Sequence, residues 1–310
     1  MMAWLDPFEG RAATDVVAWG YYVRDTGGPP FPVAISDYGE DLSDVVAFAA
    51  GVGQDVALRR DGTVVVWGDN AYGQRWVPAG LDEVVGIASG AWHVAALRAD
   101  GTAAQWGSNL YGEANWQVEP ANLAAVTAGF FETVALRSDG TVTAWGPVSA
   151  TPVPPGLSNV VAVATDNQNA LAVKADGRVE GWNLNQGGLS WRPLFVPPEA
   201  TNVIEAAVGS GHFVALRADG TVVGWDLGES GVGMVPEGLT EVTAIAAGHA
   251  HVLALRRNGA VVAWGAGTSL DPGNPPEYGQ SMVPPGLSNV VAVAAGGFHS
   301  LALVGDGPPS

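Results

Sequence analysis

A turn pair followed six residues later by a tryptophan recurs along this chain, and its copies at the two ends are incomplete. The complete copies join Asp61-Gly62, Asp100-Gly101, Asp139-Gly140, Asp176-Gly177, Asp219-Gly220 and Asn258-Gly259 to Trp67, Trp106, Trp145, Trp182, Trp225 and Trp264. A seventh pair, Asp306-Gly307, has no tryptophan strand after it, whereas Val16 to Gly20 form such a strand, with Trp19, and have no turn before it. Each end supplies what the other lacks, so the repeat predicts a closed ring.

The repeat predicts an all-β fold, a seven-bladed β-propeller of four-stranded antiparallel blades. The N-terminal strand is expected to complete the last blade, because this pairs strand edges that would otherwise be open. We expect a single β-propeller domain over residues 1–310, with repeats at about 15–307 and terminal extensions at 1–14 and 308–310. The 43 glycines and 21 prolines suit many short strands and tight turns, and 47% hydrophobic residues suffice for a large core.

Each copy contains the same series of strand signals. A first strand such as Val45 to Gly51 precedes a second with the pattern His-x-x-Ala-Leu, as in His93 to Leu97. The Asp-Gly pair then predicts a two-residue type I′ turn, and Val-Pro pairs after the tryptophan strand predict a weaker outer fourth strand. The repeated tryptophans, one per blade, are expected to be structural and to pack between neighbouring blades. They are Trp19, Trp67, Trp106, Trp145, Trp182, Trp225 and Trp264.

Strand parity places two kinds of loop on one face of the predicted disc. The loops between the first and second strands and those after Trp-Gly share this loop face, and the Asp-Gly turns lie on the opposite turn face. The copies differ in sequence on the loop face, which therefore predicts a protein-binding surface rich in aromatic residues on a rigid scaffold. Its candidate residues are Trp92, Phe130, Phe131, Phe298, Tyr72, Trp76, Tyr111, Trp116, Trp191 and Tyr278. The alternative for any one of them is that it caps a blade from inside.

Composition and spacing argue against other classes of function. A net charge of −18 disfavours binding to nucleic acid or anionic lipid, and no apolar run is long enough to span a membrane. Cysteine is absent. One repeat position holds a histidine in four blades, His93, His212, His251 and His299, and holds Gln54, Glu132 and Asn169 in the others. This position therefore requires a polar group and not a metal ligand. No catalytic motif occurs. We expect no enzyme activity, no metal, no cofactor and a monomer; the compartment stays open, since any export signal has been removed or never existed.

The string Gly-x-x-His-x-x-Ala-Leu-x-x-Asp-Gly-x-Val-x-x-Trp-Gly, followed by Asn70 to Gln74, resembles the repeat of the regulator of chromosome condensation family of seven-bladed propellers. The short copies resemble bacterial members, and the layout is most similar to the propeller-type β-lactamase inhibitory proteins of soil bacteria. That resemblance implies an aromatic face that grips an enzyme, with Trp92, Phe131 and Phe298 in the matching slots and Tyr72, Tyr111 and Tyr278 beside them. Gly53, Gln168, Gly211 and Ala250 depart from the aromatic pattern.

Three functions follow as hypotheses. The first is a non-enzymatic propeller that binds another protein through the aromatic loop face. The second, implied by the resemblance, is an inhibitor of a secreted serine β-lactamase. The third, also implied by the family, is a guanine-nucleotide exchange factor for a small GTPase, although the acidic composition argues against the chromatin binding that accompanies it in the eukaryotic archetype.

Overall fold

The computed structural model describes residues 13–20, 42, 44–110, 112–113, 121–146, 153–166, 168–183, 192–228, 230–268 and 278–305. These residues form 22 β-strands and no helix. The strands are β1 (Ala13–Gly20), β2 (Val45–Ala50), β3 (Gln54–Arg59), β4 (Val64–Gly68), β5 (Val84–Ser89), β6 (His93–Arg98), β7 (Ala103–Gly107), β8 (Leu123–Ala128), β9 (Thr133–Arg137), β10 (Val142–Trp145), β11 (Val160–Thr165), β12 (Asn169–Lys174), β13 (Val179–Asn183), β14 (Arg192–Pro193), β15 (Val203–Val208), β16 (His212–Arg217), β17 (Val222–Asp226), β18 (Val242–Ala247), β19 (His251–Arg256), β20 (Val261–Gly265), β21 (Val290–Ala295) and β22 (His299–Gly305).

The strands form seven antiparallel sheets, which fit a seven-bladed propeller. Blades 1 to 6 are β2-β3-β4, β5-β6-β7, β8-β9-β10, β11-β12-β13-β14, β15-β16-β17 and β18-β19-β20, and blade 7 is β21-β22-β1. The first strand of each blade contacts the first strand of the next, and β21 contacts β2, so the inner strands surround a central axis.

The seventh sheet combines the two ends of the described chain. β1 pairs antiparallel with β22, with Trp19 opposite Ser300 and Val17 opposite Ala302. β1 therefore occupies the position that the tryptophan strand occupies in each of the other blades.

Within the described residues a fourth strand forms in one blade only, at Arg192–Pro193 and not at the predicted Val196-Pro197 pair. β14 pairs with β13 in blade 4, where Pro193 lies opposite Trp182. In blade 1 all residues from Val64 to Leu81 are described and no fourth strand follows β4, so the prediction of four strands per blade is wrong there. Proline has no N–H to donate, so Pro78 weakens any pairing of the returning segment.

The Asp-Gly turns differ from the predicted type I′. Gly62 has a φ of +83°, but Asp61 is absent from the residues with positive φ, so one of the two required values is missing. Gly62 N donates to Arg59 O (3.0 Å) and Arg59 N donates to Thr63 O (2.9 Å), which is the pattern of a type I turn with a glycine bulge. The Asp61 carboxylate accepts the Thr63 N–H (2.9 Å) and hydroxyl (2.7 Å), and these bonds hold its backbone outside the left-handed region.

The blade tryptophans lie in the core between neighbouring blades. Six of the seven are buried, among them Trp67 and Trp182, and Trp145 is partly buried. Trp67 packs in one cluster with Leu301 and Leu303 of blade 7. Several indole N–H groups also donate to the loop of the preceding blade: Trp19 to Gln280 O (2.8 Å), Trp106 to Gln74 O (2.6 Å) and Trp264 to Val232 O (2.9 Å).

Candidate functional site

A ring of glycines at the ends of the first strands forms the centre of the loop face. Each approaches the backbone of the next blade closely: a Cβ added to Gly248 would lie 2.4 Å from Gly296 O, and one added to Gly296 would lie 2.5 Å from Gly51 O. Gly297 N donates to Gly51 O (2.9 Å) across the junction of blades 7 and 1. The ring surrounds a cavity of about 100 Å³ on the axis, and only in blade 4 is the glycine replaced, by Asp166.

Three of the four repeated histidines, His93, His251 and His299, lie beneath this ring and connect the blades. His93 Nε2 contacts Thr133 Oγ1 (2.9 Å), His251 Nε2 contacts Ser300 Oγ (3.0 Å) and His299 Nε2 contacts Asp55 Oδ1 (2.8 Å), each in the following blade. Burial lowers the pKa of His93 to about 4 and that of His251 to about 3, so both rings are neutral near pH 7. Buried neutral imidazoles that bond across blade interfaces have a structural role.

The largest group of predicted site residues forms a continuous aromatic cluster over blades 1 to 3. We call Tyr72, Trp92, Phe130 and Phe131 the tryptophan cluster. The Trp92 ring centroid lies 5.0 Å from that of Phe130 and 5.2 Å from that of Phe131, and 6.1 Å from that of Tyr72. The two phenylalanine rings are also in edge contact, with centroids 5.0 Å apart. All four rings retain some exposure, and Tyr72 is 43% exposed. The cluster is therefore an accessible apolar surface.

A smaller aromatic cluster lies over blades 6 and 7. In this histidine cluster Phe298 contacts Tyr278 in an edge arrangement, with ring centroids 5.4 Å apart, and the His249 ring at 5.3 Å. Partial burial lowers the pKa of His249, which favours its neutral ring beside Phe298. His249 and Phe130 both line the axial cavity, so the cavity lies between the two clusters.

Glutamine side chains fix the loops that carry the two tyrosines. Gln74 Oε1 accepts the Tyr72 N–H (2.8 Å), and Gln280 Oε1 accepts the Tyr278 N–H (3.0 Å). Both glutamines are fully buried. Sequence reasoning missed their role, although the shared Tyr-Gly-Gln order in the two loops is a signal that could have revealed it.

Trp76, the one further predicted site residue in the described parts of the chain, lies apart from both clusters. Trp76 is 74% exposed and lies beside the outer strand β4, at the rim of blade 1. Tyr111, Trp116 and Trp191 lie outside the described residues.

Two acids interrupt the repeat beside the tryptophan cluster. Glu132 takes the histidine slot of blade 3, and its Oε1 accepts the Thr165 hydroxyl (3.2 Å) in blade 4. Burial, and then the nearby Asp166 carboxylate, raise the pKa of Glu132 well above its usual value. Asp166 Oδ1 accepts the N–H groups of Gln168 (2.9 Å) and Asn169 (2.8 Å). No group of three metal-ligating side chains occurs in the described parts of the chain.

The loop face therefore offers apolar contact area, through two aromatic clusters whose rings retain some exposure. Two exposed aromatic clusters on a rigid frame suit recognition of a protein surface. Within the described ranges, no helix has the length and apolar character needed to cross a membrane.

Comparison with known proteins supports the fold. Residues 56–74 and 242–269 match the model of the regulator of chromosome condensation (RCC1) repeat. No curated protein matches the chain at a significant level.

Solved structures are similar to most of this chain. Prp20p from Saccharomyces cerevisiae, described with its binding properties to Gsp1p and histones, has a TM-score of 0.71 and 20% identity, over 94% of this chain and 91% of that one. Human WBSCR16 has a TM-score of 0.69 and 19% identity, over 96% of this chain and 99% of that one. The ectodomain of the Arabidopsis thaliana receptor kinase ACR4 has a TM-score of 0.57 and 20% identity, over 71% of this chain and 79% of that one. At these identities the similarity concerns the fold alone.

Proposed function

We propose that this chain is a non-enzymatic propeller that binds another protein through the loop face. The observation that carries the proposal is the tryptophan cluster, in which aromatic rings from three blades form one exposed surface beside the axial cavity. Aromatic side chains contribute large contact area at a small cost in conformational entropy, which is why they dominate protein interfaces. The histidine cluster gives the face a second anchor on the opposite side of the cavity.

The same architecture supports the proposal of a rigid scaffold. The clusters lie on loops that start from buried strands, and the ring of glycines holds these strand ends together. Such a frame presents its rings with little conformational cost on binding. We include in this proposal the closure of the ring by β1, because its pairing with β22 gives blade 7 a third strand.

The test is a pull-down from source-cell extract that compares the chain with a Trp92→Ala, Phe131→Ala, Phe298→Ala variant. We expect the variant to lose its specific partners, each truncation weakening binding about 10-fold or more. A Met234→Ala variant is the control, since Met234 is 74% exposed and lies outside both clusters. Thermal melts establish that the triple variant is folded; retention of the same partners by a folded triple variant contradicts the proposed face.

A serine β-lactamase is a second candidate partner. The slots Trp92, Phe131 and Phe298, which the resemblance to inhibitory propellers marks, all carry rings that pack into the two clusters. The measurement is nitrocefin hydrolysis by a class A β-lactamase, titrated with this chain and with the triple variant. Inhibition by the chain at micromolar concentration and not by the variant is the expected result, and activity unchanged by either protein removes this candidate.

A further inference from the structure

A cavity opens on the turn face, among the first strands of blades 3, 4 and 5. It encloses about 680 Å³, which lies within the range of about 300–1,000 Å³ that small-molecule sites occupy. The exposed Ser138 and Asp139 mark its mouth. Small apolar side chains from β8, β11 and β15 form much of its wall: Ala124, Ala125, Val161, Ala162, Val163 and Ala206. The cavity therefore fits an apolar body of limited size.

One carboxyl interrupts this apolar lining. Glu205 lies two residues into β15, opposite Leu216 of β16, in a slot that holds alanine or glycine in the other six blades. Its Oε1 atom accepts the N–H of Ile245 in blade 6 at 3.4 Å, which is longer than the usual range of about 2.7–3.2 Å. Among the described residues, no ion pair involves Glu205. A carboxylate held in this way lacks the partners that normally offset burial.

The charged side chains around the cavity have partners other than Glu205. Arg137 and Asp139 attract each other at the mouth. Lys174, at the end of β12, forms an ion pair with Glu180 (3.4 Å). The strands β11 and β18, the first strands on either side of β15, contain no titratable side chain.

The last neighbour of β15 is β16, within its own blade. Arg217, at the turn-face end of β16, donates to Glu199 O (2.7 Å), and His212 begins the strand at the loop face. Of the ionisable groups on or beside β15, Glu205 is thus the one without a charged or strongly bonded partner in the described structure. Its carboxylate is the group in this cavity that a bound cation would complement.

We propose that this cavity binds a small organic amine, whose apolar body lies against the alanine and valine side chains and whose ammonium group pairs with the Glu205 carboxylate. Burial raises the pKa of Glu205 to about 7, and a bound ammonium group favours the charged form of the carboxyl. The affinity for an amine therefore rises with pH through about 7. The cavity lies on the turn face, so this site stands or fails independently of the function proposed for the loop face.

The test is isothermal titration calorimetry of the full chain with phenylbutylamine, phenylbutanol and phenylbutyrate, which carry a cationic, a neutral and an anionic group on the same apolar body. We expect the amine to bind at pH 8 with a Kd of about 1 mM or lower, and the other two at least about 10-fold more weakly, because neither forms an ion pair with a carboxylate. Amine binding should be about 10-fold weaker at pH 6, where a carboxyl with a pKa of about 7 is mostly protonated. No binding of the amine up to about 10 mM, or equal affinity at both pH values, overturns the proposal.

Charge variants locate the ammonium group. Glu205→Gln removes the charge and nearly keeps the size of the side chain, so the protein should fold and bind the amine about 10-fold or more weakly at pH 8. Glu237→Gln removes an exposed acid and is the control for general attraction of a cation to this acidic chain. Amine binding by Glu205→Gln that equals binding by Glu237→Gln overturns the proposal.

Size variants locate the apolar body. Ala162→Leu fills the cavity from blade 4, in the slot where blade 5 already accepts the longer side chain of Glu205. We expect it to weaken amine binding about 10-fold or more. Ala292→Leu makes the same change in the same slot of blade 7, which does not line the cavity, and is the matched control. Thermal melts establish that both variants are folded; equal affinity of the two folded variants for the amine places it elsewhere and overturns the proposal.

Discussion

Glu205 is the residue that departs most from its repeat. The corresponding position is alanine or glycine in the other six blades: Ala47, Gly86, Ala125, Ala162, Ala244 and Ala292. The Glu205 carboxylate lines a cavity of about 680 Å³ and accepts one N–H, from Ile245 at 3.4 Å. Burial raises the pKa of Glu205 to about 7, because the loss of hydration disfavours the charged carboxylate.

Glu205 should make the fold less stable at high pH. Its folded-state pKa lies above its usual value of 4.5, so its contribution is fully present below about pH 4.5 and is lost as pH rises through about 7. We expect Glu205→Gln to increase the free energy of unfolding by about 1–2 kcal/mol at pH 8 and by little at pH 5, a modest value because the side chain is only partly buried. Urea denaturation at both pH values measures this.

The control for this residue is Glu237→Gln, since Glu237 is exposed. Equal stabilisation by Glu205→Gln at both pH values would contradict a titrating carboxyl.

The buried histidines give the stability of the fold the opposite dependence on pH. The folded-state pKa values of His93 and His212 are lowered to about 4, so their contribution is present above about pH 6.5 and is lost as pH falls through about 4.

At the scale of elements, the first strands show a regularity that the sequence analysis missed. The residue before each has a φ between +50° and +58°, and in each case its carbonyl accepts the N–H of a residue just past the second strand or at its end. These residues are Asp44, Glu83, Asn122, Asn159, Asn202, Glu241 and Asn289. Four of the seven are asparagine, which tolerates this conformation, and that bias was the available signal. The glutamates adopt it because the sheet fixes their backbone.

β1 is the element on which we expect blade 7 to depend. Val16 and Trp19 are only 3% and 2% exposed, and β1 covers one edge of β22. Deleting residues 1–20 should lower the free energy of unfolding by about 3–5 kcal/mol or more, because it removes a buried tryptophan and opens a strand edge. Deletion of residues 1–12 leaves β1 in place and is the matched control. A thermal melt of the longer deletion that coincides with the control refutes the closure.

Across the whole molecule, the sequences of the blades differ mainly in two regions, the loop face and the outer edges. The inner strands must be alike in sequence because each contacts two neighbouring strands around the axis. At Gly248 and Gly296 the backbone of the next blade leaves no room for a Cβ. The loops and the outermost segments have no such constraint. The tryptophan cluster and the histidine cluster both lie on the loop face, on either side of the axial cavity.

The sequence by itself determined the number of blades, the antiparallel order and the buried tryptophans, since these follow from the period of Asp-Gly, Trp-Gly and alternating apolar residues. Tertiary structure decided the rest. The Val-Pro pairs do not fix where a fourth strand forms, since one is found at Arg192–Pro193 in blade 4 and none follows β4 in the described part of blade 1. Whether Trp92 meets Phe130, and Trp76 stands apart, depends on how loops from different blades converge. A linear pattern records local periodicity, whereas contacts between blades arise only when distant segments share space.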